Sequence, residues 1–593
     1  MAPVRERVAH LGDFTLRPRV LWIVAWAVPI GAVGAVAALA LLRLIGLLTN
    51  LVFYQRVSTR LVAPGAGHHQ PLLILLAPVA GGLAVGLMAR FGSEKIRGHG
   101  MPEAIEAILV RGSRVAPRVA VLKPISAAIS IGTGGPFGAE GPIIMTGGAV
   151  GSVVAQTLHM SADERKTLLV AGAAAGMAAT FDAPLASVLL AVELLLFEWR
   201  PRSFVPVVAA VVTSTLLRVP LIGHGPLFGM TLTHLHLTGA DELLCLPAGA
   251  VGGLLAIAAT GLVYASEDAF SHLPIHWMWW PAIGGAIIGL GGLIEPRALG
   301  VGYDVIDQLL TGHAGISLIV GILVVKTLIW GLSLGSGTSG GVLAPVFMIG
   351  GALGALEGHI LPGVTPGFWA LVGLAAVVGG VMRSPLTGVV FPLELTHAWP
   401  LLLPLLIAAT AAYTMSALLL KRSVLTEKVA RRGLHLSREY AVDPLEVLLV
   451  DEVMDAGPVI AADDEPLAVL HARADLQRQW LYPVIDEQSA LLGVIPRRDL
   501  AELDGRGSAL AGEAAISPRL VTYADETLRE LARRFASEHL TTAVVLDRND
   551  PSCVVGLVTV EHLLQAHLRD LVHERHRERF LQPRARAYRA TIS

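Results

Sequence analysis

The sequence predicts an all-α polytopic membrane protein followed by a smaller α/β domain in water, on three observations. First, the 593 residues are 53% hydrophobic, with a mean hydropathy of +0.63. Second, residues 21–420 hold 36 of the 92 Asp, Glu, Lys and Arg residues, about 9% of that segment, whereas the other 193 residues hold 56, about 29%. Average soluble domains carry about 25%, so the two parts are built for different solvents. Third, the apolar part contains a self-match, which indicates repeated membrane helices.

The same composition excludes several classes of protein. A single soluble enzyme does not fit the contrast in charge. A disulfide-rich secreted protein does not fit either, because Cys245 and Cys553 are the only cysteines and lie in different regions. The net charge of −2 gives no indication of nucleic acid binding. The 63 Gly and 35 Pro predict broken or closely packed membrane helices.

The apolar runs predict the topology. The run at about 21–48 is expected to be a retained membrane helix, because it is longer than a signal-peptide core and no cleavage pattern follows it. Basic residues precede this run and follow residue 420. Both termini are therefore expected in the cytoplasm, with an even number of crossings. Several later runs are shorter than the about 20 residues that a straight crossing needs. Their Gly and Pro residues are typical of half-helices that line a cavity.

These patterns predict the division of the chain. We expect a cytoplasmic segment at 1–20, a membrane domain at 21–432 with halves at about 21–235 and 236–432, α/β units at 443–504 and 512–570, and a basic tail at 571–593. The tail is expected in water, close enough to the inner leaflet to contact anionic lipid.

The internal repeat joins two glycine-rich stretches. Residues 132–151 read G-T-G-G-P-F-G-A-E-G-P-I-I-M-T-G-G-A-V-G, and residues 335–354 read G-S-G-T-S-G-G-V-L-A-P-V-F-M-I-G-G-A-L-G. At an offset of 203, nine of the twenty positions are identical. Lys123 matches Lys326 at the same offset, so similar composition alone does not explain the match. In duplicated membrane units the binding site lies between the halves, near interrupted segments.

The repeated motifs predict helix N-termini that face a cavity. In each, glycines that allow close approach of an ion precede a proline suited to a first helical turn. A third candidate, R-G-H-G-M-P-E, lies at 97–103. The unpaired N–H groups and the dipole of such an end attract an anion. Three such ends predict an anion path, because a cation path requires carbonyls or carboxylate rings.

Glu140 is the ionisable residue within one of these motifs, G-A-E-G-P at 138–142. Its carboxylate is expected to occupy the anion site, and to leave it when protonated so that an anion enters. That behaviour makes Glu140 a gate and allows anion–proton exchange, since an ionisable residue within a membrane is usually functional. The alternative is that Glu140 only caps its helix.

Together the motifs resemble the CLC family of chloride channels and proton-coupled chloride transporters. The similarity covers about 20–432 and rests on the motifs G-H-G-M-P (98–102), G-A-E-G-P (138–142), G-V-L-A-P (341–345), R-S-P-L-T (383–387) and V-A-R-R-G (429–433). The resemblance implies an antiparallel-repeat helical bundle and a homodimer in which each subunit has its own pore.

The resemblance also implies roles for particular residues. Glu140 corresponds to the external gating glutamate. The backbone N–H groups of Val342 and Leu343 are expected at the central anion site, beside His99 and Gly100 of the first motif. The groups around Glu140, in Gly138, Ala139 and Gly141, are expected at the outer anion site.

Three positions of this site depart from the family. The family's serine in the first motif is His99 here, and its tyrosine in the last helix is Leu425, so both hydroxyl donors are missing. The family's phenylalanine is Leu343. An imidazole donates an N–H when neutral and carries a charge when protonated. The pore is therefore expected either to prefer another anion or to respond to pH. The alternative is that His99 points elsewhere and backbone donors hold the anion.

The internal proton glutamate of the exchangers also differs. An ungapped alignment from Pro184 places the family's paired glutamates on Glu193 and Leu194, so the second is absent. Glu198 lies one turn beyond Leu194 on the same face and is a candidate displaced proton entry. The alternative is a charge at the cytoplasmic helix end beside Arg200 and Arg202.

The last part of the chain resembles a tandem pair of CBS domains, which often bind adenine nucleotides between their halves. The ligand pattern there is a Ser or Thr followed three residues later by Asp. The first unit has Pro496 and Asp499, and the second has Thr559 and His562. Because neither pattern is complete, a structural dimerisation and regulatory module is the alternative to nucleotide binding by Asp499 and Thr559.

These inferences lead to one leading function with alternatives. We expect a dimer in a bacterial-type inner membrane that exchanges a small anion, chloride by default, for protons. The alternatives are a passive anion channel, and a transporter of fluoride, nitrate or bicarbonate. A cation transporter would require carboxylates in the pore beyond Glu140. An enzyme would require a nucleophile or metal cluster, and the sequence contains no H-E-x-x-H and no paired Cys and His ligands.

Overall fold

The computed structural model describes residues 16–575 except 111, 231, 233, 234, 236, 435–442, 475–478 and 504–508. Two compact units divide the chain, one within 14–438 and one within 439–593. The segment expected at 1–20 and the tail expected at 571–593 lie mostly outside the described residues.

The first half of the larger unit is helical. Its helices are α1 Arg19–Tyr54, α2 Pro71–Phe91, α3 Met101–Val110, α4 Pro117–Gly132, α5 Glu140–Thr157, α6 Ala162–Phe181, α7 Pro184–Ala191 and α8 Pro201–Leu221. A π-helical turn, Val192–Leu196, follows α7. Short 3-10 turns lie at Pro64–Ala66 and Glu94–Ile96.

The second half repeats this order. Its helices are α9 Gly239–Ser271, α10 Trp280–Ile294, α11 Tyr303–Leu310, α12 Ile316–Gly321, α13 Thr327–Gly335, α14 Leu343–Glu357, α15 Phe368–Met382, α16 Pro385–Thr396 and α17 Leu402–Leu419. A π-helical turn, Ile322–Lys326, joins α12 to α13. Helix α18, Thr426–Arg431, ends the unit.

Helix length and apolar composition agree with a membrane protein. Among the described residues, seven helices are long and apolar enough to cross a membrane. Helix α15 is buried at every position, and its repeat mate α6 is buried from Thr167 to Phe181. Apolar helices that are buried all round form the centre of a bundle. Shorter apolar helices, α14 and α15 among them, fit the expectation of partial crossings.

The two halves are inverted with respect to each other. Gly138 and Gly341, which the offset of 203 relates, form an antiparallel bridge in which each donates its N–H to the other's carbonyl, at 3.3 and 2.8 Å. A repeat-related residue that pairs with its own counterpart, as Gly138 does, lies on a pseudo-two-fold axis.

In the first half, a buried lysine is held by two backbone carbonyls. Lys123 Nζ donates to the carbonyls of Ile96 and Gly98, at 2.8 and 2.7 Å.

The second half repeats the lysine contact of the first. Lys326 Nζ donates to the carbonyls of Ala298 and Gly300, at 2.8 and 2.6 Å. Both lysines are completely buried. The repeat seen in the sequence is therefore a repeat of contacts.

A pair of glutamates joins the halves. Glu394 of α16 accepts from the N–H groups of Leu185 and Ala186 at the start of α7, at 2.9 and 2.7 Å. Reciprocally, Glu193 accepts from the N–H groups of Leu386 and Thr387 at the start of α16, at 3.3 and 2.9 Å. Each carboxylate thus caps a helix of the other half, where the helix dipole favours a negative charge.

The smaller unit contains two three-stranded mixed sheets, ordered β1-β2-β3 and β4-β5-β6, with one parallel and one antiparallel pair in each. Its elements are α19 Pro444–Val447, β1 Ala461–Ala462, α20 Leu467–Ala474, β2 Leu481–Ile485, β3 Leu491–Pro496, α21 Arg497–Leu503, α22 Ala511–Ala514, β4 Val521–Tyr523, α23 Leu528–Glu538, β5 Thr542–Leu546, β6 Val554–Thr559 and α24 Val560–Arg575.

The two sheets exchange their leading segments. The segment at 450–455, expected to begin the first unit, packs on the second sheet, where Asp455 N donates to Leu557 O at 2.9 Å. Ile516, within the second expected unit, donates to Val494 O of the first sheet at 3.0 Å. Each sheet therefore packs against a segment of the other expected unit, and the boundaries at 443–504 and 512–570 stay predictions.

Candidate anion site

Several predicted site residues meet at a small cavity between the two halves. The space open to the centre of a water-sized sphere is about 10 Å³, enough for about one water molecule. The cavity is lined by His99, Met101, Glu140, Gly141, Ile144, Met177, Leu190, Val342, Leu343, Met382 and Leu425. The structure thus brings together the first motif, the repeated motifs and the residue before α18.

Glu140 spans from one half of the bundle to the other. It begins α5 and is 2% exposed. Its Oε1 accepts from the N–H of Leu343, and from the N–H of Ala344 at 3.4 Å. Its Oε2 is buried without a hydrogen-bond partner among the described residues. The carboxylate therefore occupies the N-terminus of α14, a position where a helix attracts an anion.

The donors to this carboxylate are the first two residues of α14, Leu343 and Ala344. Their N–H groups have no partner within the helix, because they lie in its first turn. Val342, the residue before the helix, also lines the cavity. The central anion site expected at the N–H groups of Val342 and Leu343 stays a prediction.

Glycines allow the close approach of the motifs. A Cβ atom on Gly138 or Gly341 would collide with the Glu140 carboxyl group, and one on Gly141 would collide with the carbonyl oxygen of His99. Ala139, between them, is the fully buried residue before α5. Of these positions, which are expected at the outer anion site, Gly138 packs against the carboxyl group and Gly141 lines the cavity.

His99 stands at the boundary of the cavity. It is 4% exposed, and its Nδ1 is buried without a hydrogen-bond partner among the described residues. Gly98 and Gly100 on either side have φ values of +73° and +88°, which side chains disfavour. Gly98 also donates to Gly337 O of the second half at 3.3 Å. His99 therefore lies on a turn flanked by glycines and is one of the residues that line the cavity, and the role of its ring stays a prediction.

The remaining lining of the cavity is apolar. Leu425 is fully buried and places a hydrocarbon where the family has a tyrosine. Met101, Met177 and Met382 add further apolar lining. Among the described lining residues, His99 and Glu140 are thus the side chains with polar groups.

A larger vestibule of about 620 Å³ opens on the other side of His99. Five cationic and four acidic side chains line it: Lys95, Arg97, Lys428, Arg431 and Arg432, with Glu94, Glu103, Glu106 and Glu267. Lys428, Arg431 and Arg432 belong to the basic end of the membrane unit. A vestibule with an excess of cations concentrates anions at its mouth.

Glu103 is the most buried acidic group of this vestibule. Its side chain is 3% exposed and pairs with Arg432 at 2.9 Å and with Lys428 at 3.5 Å. Its Oε2 is buried without a hydrogen-bond partner among the described residues. Glu106, one turn further along α3, pairs with Arg432 and with Lys95, the latter at 2.8 Å. These pairs join α3 to α18.

The sequence alone predicts a functional role for neither Glu103 nor Tyr303. Tyr303, which begins α11, has a buried hydroxyl without a partner among the described residues and interacts electrostatically with Glu140. It lines a separate cavity of about 110 Å³. The sequence does contain a pattern that points to Tyr303, because G-V-G-Y at 300–303 matches G-H-G-M at 98–101 at an offset of 202.

The candidate proton entry at Glu198 lies in a network of cations. It pairs with Lys166 at 3.2 Å, accepts from the Ser203 hydroxyl, and has Arg200 and Arg202 each 3.8 Å away. Glu198 does not line the cavity that holds Glu140. Leu194 is fully buried. The contacts of Glu198 thus agree with the alternative of a charge at the helix end.

The candidate nucleotide residues of the smaller unit have local partners. Asp499 accepts from Arg498 Nε at 2.9 Å, and Thr559 exchanges weak hydrogen bonds with His562 at 3.3 and 3.4 Å. A cavity of about 470 Å³ lies between the sheets, with Trp480, Pro496, Arg497, Arg498, Arg519, Thr541 and Thr542 among its lining. No group of three or more His, Cys, Asp or Glu side chains suited to a metal occurs within the described residues.

Comparisons with known proteins agree with this architecture. Residues 80–417 match the family described as voltage gated chloride channel, and residues 511–569 match the CBS domain. The H(+)/Cl(-) exchange transporter ClcA of Citrobacter koseri is 32% identical over 369 residues, which is 58% of this chain and 75% of that protein.

Solved structures share the fold at lower identity. A eukaryotic CLC transporter, 21% identical, has a TM-score of 0.56 over 91% of this chain and 98% of its own. A CLC-type fluoride/proton antiporter, 19% identical, has a TM-score of 0.61 over 69% of this chain and 98% of its own. The inverted repeat, the meeting of its motifs and a family match over more than half of the sequence show that this chain belongs to the voltage gated chloride channel (CLC) family, as an integral membrane protein with a C-terminal CBS domain.

Proposed function

We propose that this protein exchanges a small inorganic anion, chloride by default, for protons, and that Glu140 is the gate. The observation that carries the proposal is the position of its carboxylate on the N–H groups of Leu343 and Ala344. A negative group of the protein stands where a helix N-terminus would otherwise hold a free anion.

Protonation changes this competition. The ionised carboxylate interacts with the dipole of α14, and the neutral acid loses most of that attraction. The unpartnered Oε2 of Glu140 is a position for the proton. Once the protonated side chain of Glu140 leaves, an anion binds to the N–H groups. The side chain returns to them only after it has lost the proton. One residue thereby links the movement of the two ions.

The relatives support exchange as the leading function. The Citrobacter koseri relative is named an H(+)/Cl(-) exchange transporter. The vestibule supports an anion as the substrate, because its lining cations outnumber its acidic groups.

Flux in liposomes tests the proposal. The purified protein is reconstituted with a chloride gradient, and chloride and protons are recorded together. The wild type should move protons uphill as chloride runs down, and Glu140→Gln and Glu140→Ala should move chloride without protons. Glu357→Gln, at the other end of α14, is the matched control and should stay coupled. Coupled proton transport in both Glu140 variants would contradict the proposal.

A passive anion channel of the same fold is the second candidate function. It is favoured by Leu194, a fully buried hydrocarbon where the exchangers carry their internal proton glutamate. The same recording separates the two functions, because a channel passes chloride in the wild type without driving protons.

The identity of the anion is a further proposal. At the cavity, His99 and Leu425 stand where the family has two hydroxyl donors. The alternative to a chloride transporter is therefore a protein of the same fold that prefers fluoride, nitrate or bicarbonate. Uptake of labelled chloride against each competitor ranks the anions. Chloride ranking first by a wide margin would retain the default.

For the smaller unit we propose that an adenine nucleotide binds between the sheets, with Asp499 in the first half and Thr559 in the second. The cavity offers an indole from Trp480 for stacking and guanidinium groups from Arg497 and Arg519 for phosphate. Titration of the full chain with ATP and AMP, followed by tryptophan fluorescence, tests this. If the nucleotides neither change the fluorescence nor protect Arg519 from chemical modification, the smaller unit is a structural dimerisation and regulatory module instead.

The setting of the protein is also part of the proposal. We place it in a bacterial inner membrane as a homodimer, with both termini and the basic end of the membrane unit in the cytoplasm. Anionic lipid is the expected neighbour of that end. Cross-linking in native membranes and accessibility of an engineered C-terminal cysteine check the dimer and the orientation.

A further inference from the structure

Coupled exchange requires a proton route from the vestibule to Glu140. The family position for such a group is Leu194, which carries no proton, and Glu198 is engaged by Lys166 and Ser203 away from the cavity. If Glu140 exchanges protons with the vestibule side, another group must carry them.

We propose that His99, fed by Glu103, relays protons between the vestibule and Glu140, so that protons and anions share the first part of one pathway. The inference rests on the proposed exchange function. Its basis is placement: among the described residues, His99 is the one that lines both the cavity of Glu140 and the vestibule of Glu103. Protons and anions thus meet at the turn that holds His99.

The ring has the chemistry that a relay needs. Imidazole takes a proton on one nitrogen and releases one from the other. The buried Nδ1 of His99 has no hydrogen-bond partner among the described residues, so reorientation of the ring breaks no bond at that atom. The cavity has room for about one water molecule, which is a bridge between the ring and Glu140.

The steps balance in protons. A hydronium ion in the vestibule protonates Glu103, which passes the proton to neutral His99 and becomes a carboxylate again. The imidazolium gives the proton on its other nitrogen, directly or through one water, to the Glu140 carboxylate. Reorientation of the ring restores the starting tautomer. One proton moves, and no bond between heavier atoms forms or breaks.

The charges around His99 come from several elements. Those that act on it most are Lys428 of α18, Glu103 of α3, Lys123 of α4 and Arg432 after α18. Burial and the three cations oppose an imidazolium, and Glu103 favours one. The carboxylate of Glu103 has its Oε2 free of partners among the described residues. Glu103 therefore supplies the negative charge that a transient imidazolium needs.

The experiment uses the full chain in liposomes, with chloride and protons recorded together. His99→Gln keeps a polar side chain of similar reach that does not titrate. It should keep chloride transport and lower protons moved per chloride by about 100-fold, the low end of what a positioned acid–base group contributes. Glu103→Gln should lower the same ratio. Glu357→Gln removes a carboxylate that lines neither the cavity nor the vestibule and should leave the ratio unchanged.

A rescue experiment separates a relay from a structural role. His99→Ala should lose coupling, and imidazole added on the vestibule side should restore it, because the vestibule of about 620 Å³ admits a free imidazole. 1,3-Dimethylimidazolium, which is methylated on both ring nitrogens and therefore has no N–H proton to exchange, should not restore it.

The outcomes are distinguishable. Coupling that survives in His99→Gln overturns the relay and leaves the exchange through Glu140 standing. Loss of chloride transport in both His99 variants, without rescue by imidazole, also overturns it. A wild type that moves chloride without protons removes the proposed function and the relay together.

Discussion

The reciprocal glutamate clamp between the halves gives a quantitative prediction. Glu394→Ala removes a buried carboxylate that accepts from Leu185 N at 2.9 Å and Ala186 N at 2.7 Å. Hydrogen bonds to a charged group are worth about 1.5–3 kcal/mol each, so two bonds give about 3–6 kcal/mol. We therefore expect the free energy of unfolding to fall by about that amount, with the start of α7 left uncapped.

The assay is equilibrium unfolding of the full chain in mixed detergent micelles, followed by tryptophan fluorescence. Glu357→Ala is the control, because it removes the same side chain from a helix where Oε2 has no hydrogen-bond partner among the described residues. Because this carboxyl group is half-buried and its Oε2 makes no hydrogen bond that could be lost, Glu357→Ala should cost clearly less than Glu394→Ala. Equal losses in the two variants would refute the view that the clamp holds the halves together.

The remaining predictions concern the pore and its supports. Lys326→Met leaves two buried carbonyls without their donor, which should lower unfolding free energy by about 2–6 kcal/mol; an unchanged denaturant midpoint would contradict this. Gly341→Ala places a methyl group against the Glu140 carboxyl, so chloride flux should become less dependent on pH, and a wild-type pH profile would count against the clash. His99→Ser should change the relative uptake of chloride, nitrate and fluoride; an identical ranking would show that backbone donors alone select the ion.

The repeat was the part of the fold that the sequence predicted best. Identical glycines at an offset of 203 reappear as the Gly138–Gly341 bridge, because close backbone approach tolerates no side chain there. Hydrophobicity alone did not predict which apolar runs are half-helices. The glycine- and proline-containing motifs did, because they mark where the N-terminus of each such helix lies.

Other features depend on contacts between distant segments. The donors to Glu140 could not be assigned from the sequence, since they depend on where α14 begins. The ion pairs of Glu103 join positions more than 300 apart, such as Arg432, and no local pattern reports them. The exchange of leading segments between the two sheets escaped prediction for the same reason, because strand pairing is decided by the whole packed unit.

The central claim is that the Glu140 carboxylate and the transported anion compete for the same backbone N–H groups. Diffraction from crystals of the Glu140→Gln variant soaked in bromide tests it most directly, by anomalous scattering. We expect a bromide peak within hydrogen-bond distance of Leu343 N and Ala344 N, with the substituted amide side chain displaced from them. An amide side chain that still covers those groups, with no bromide at the N-terminus of α14, would contradict it.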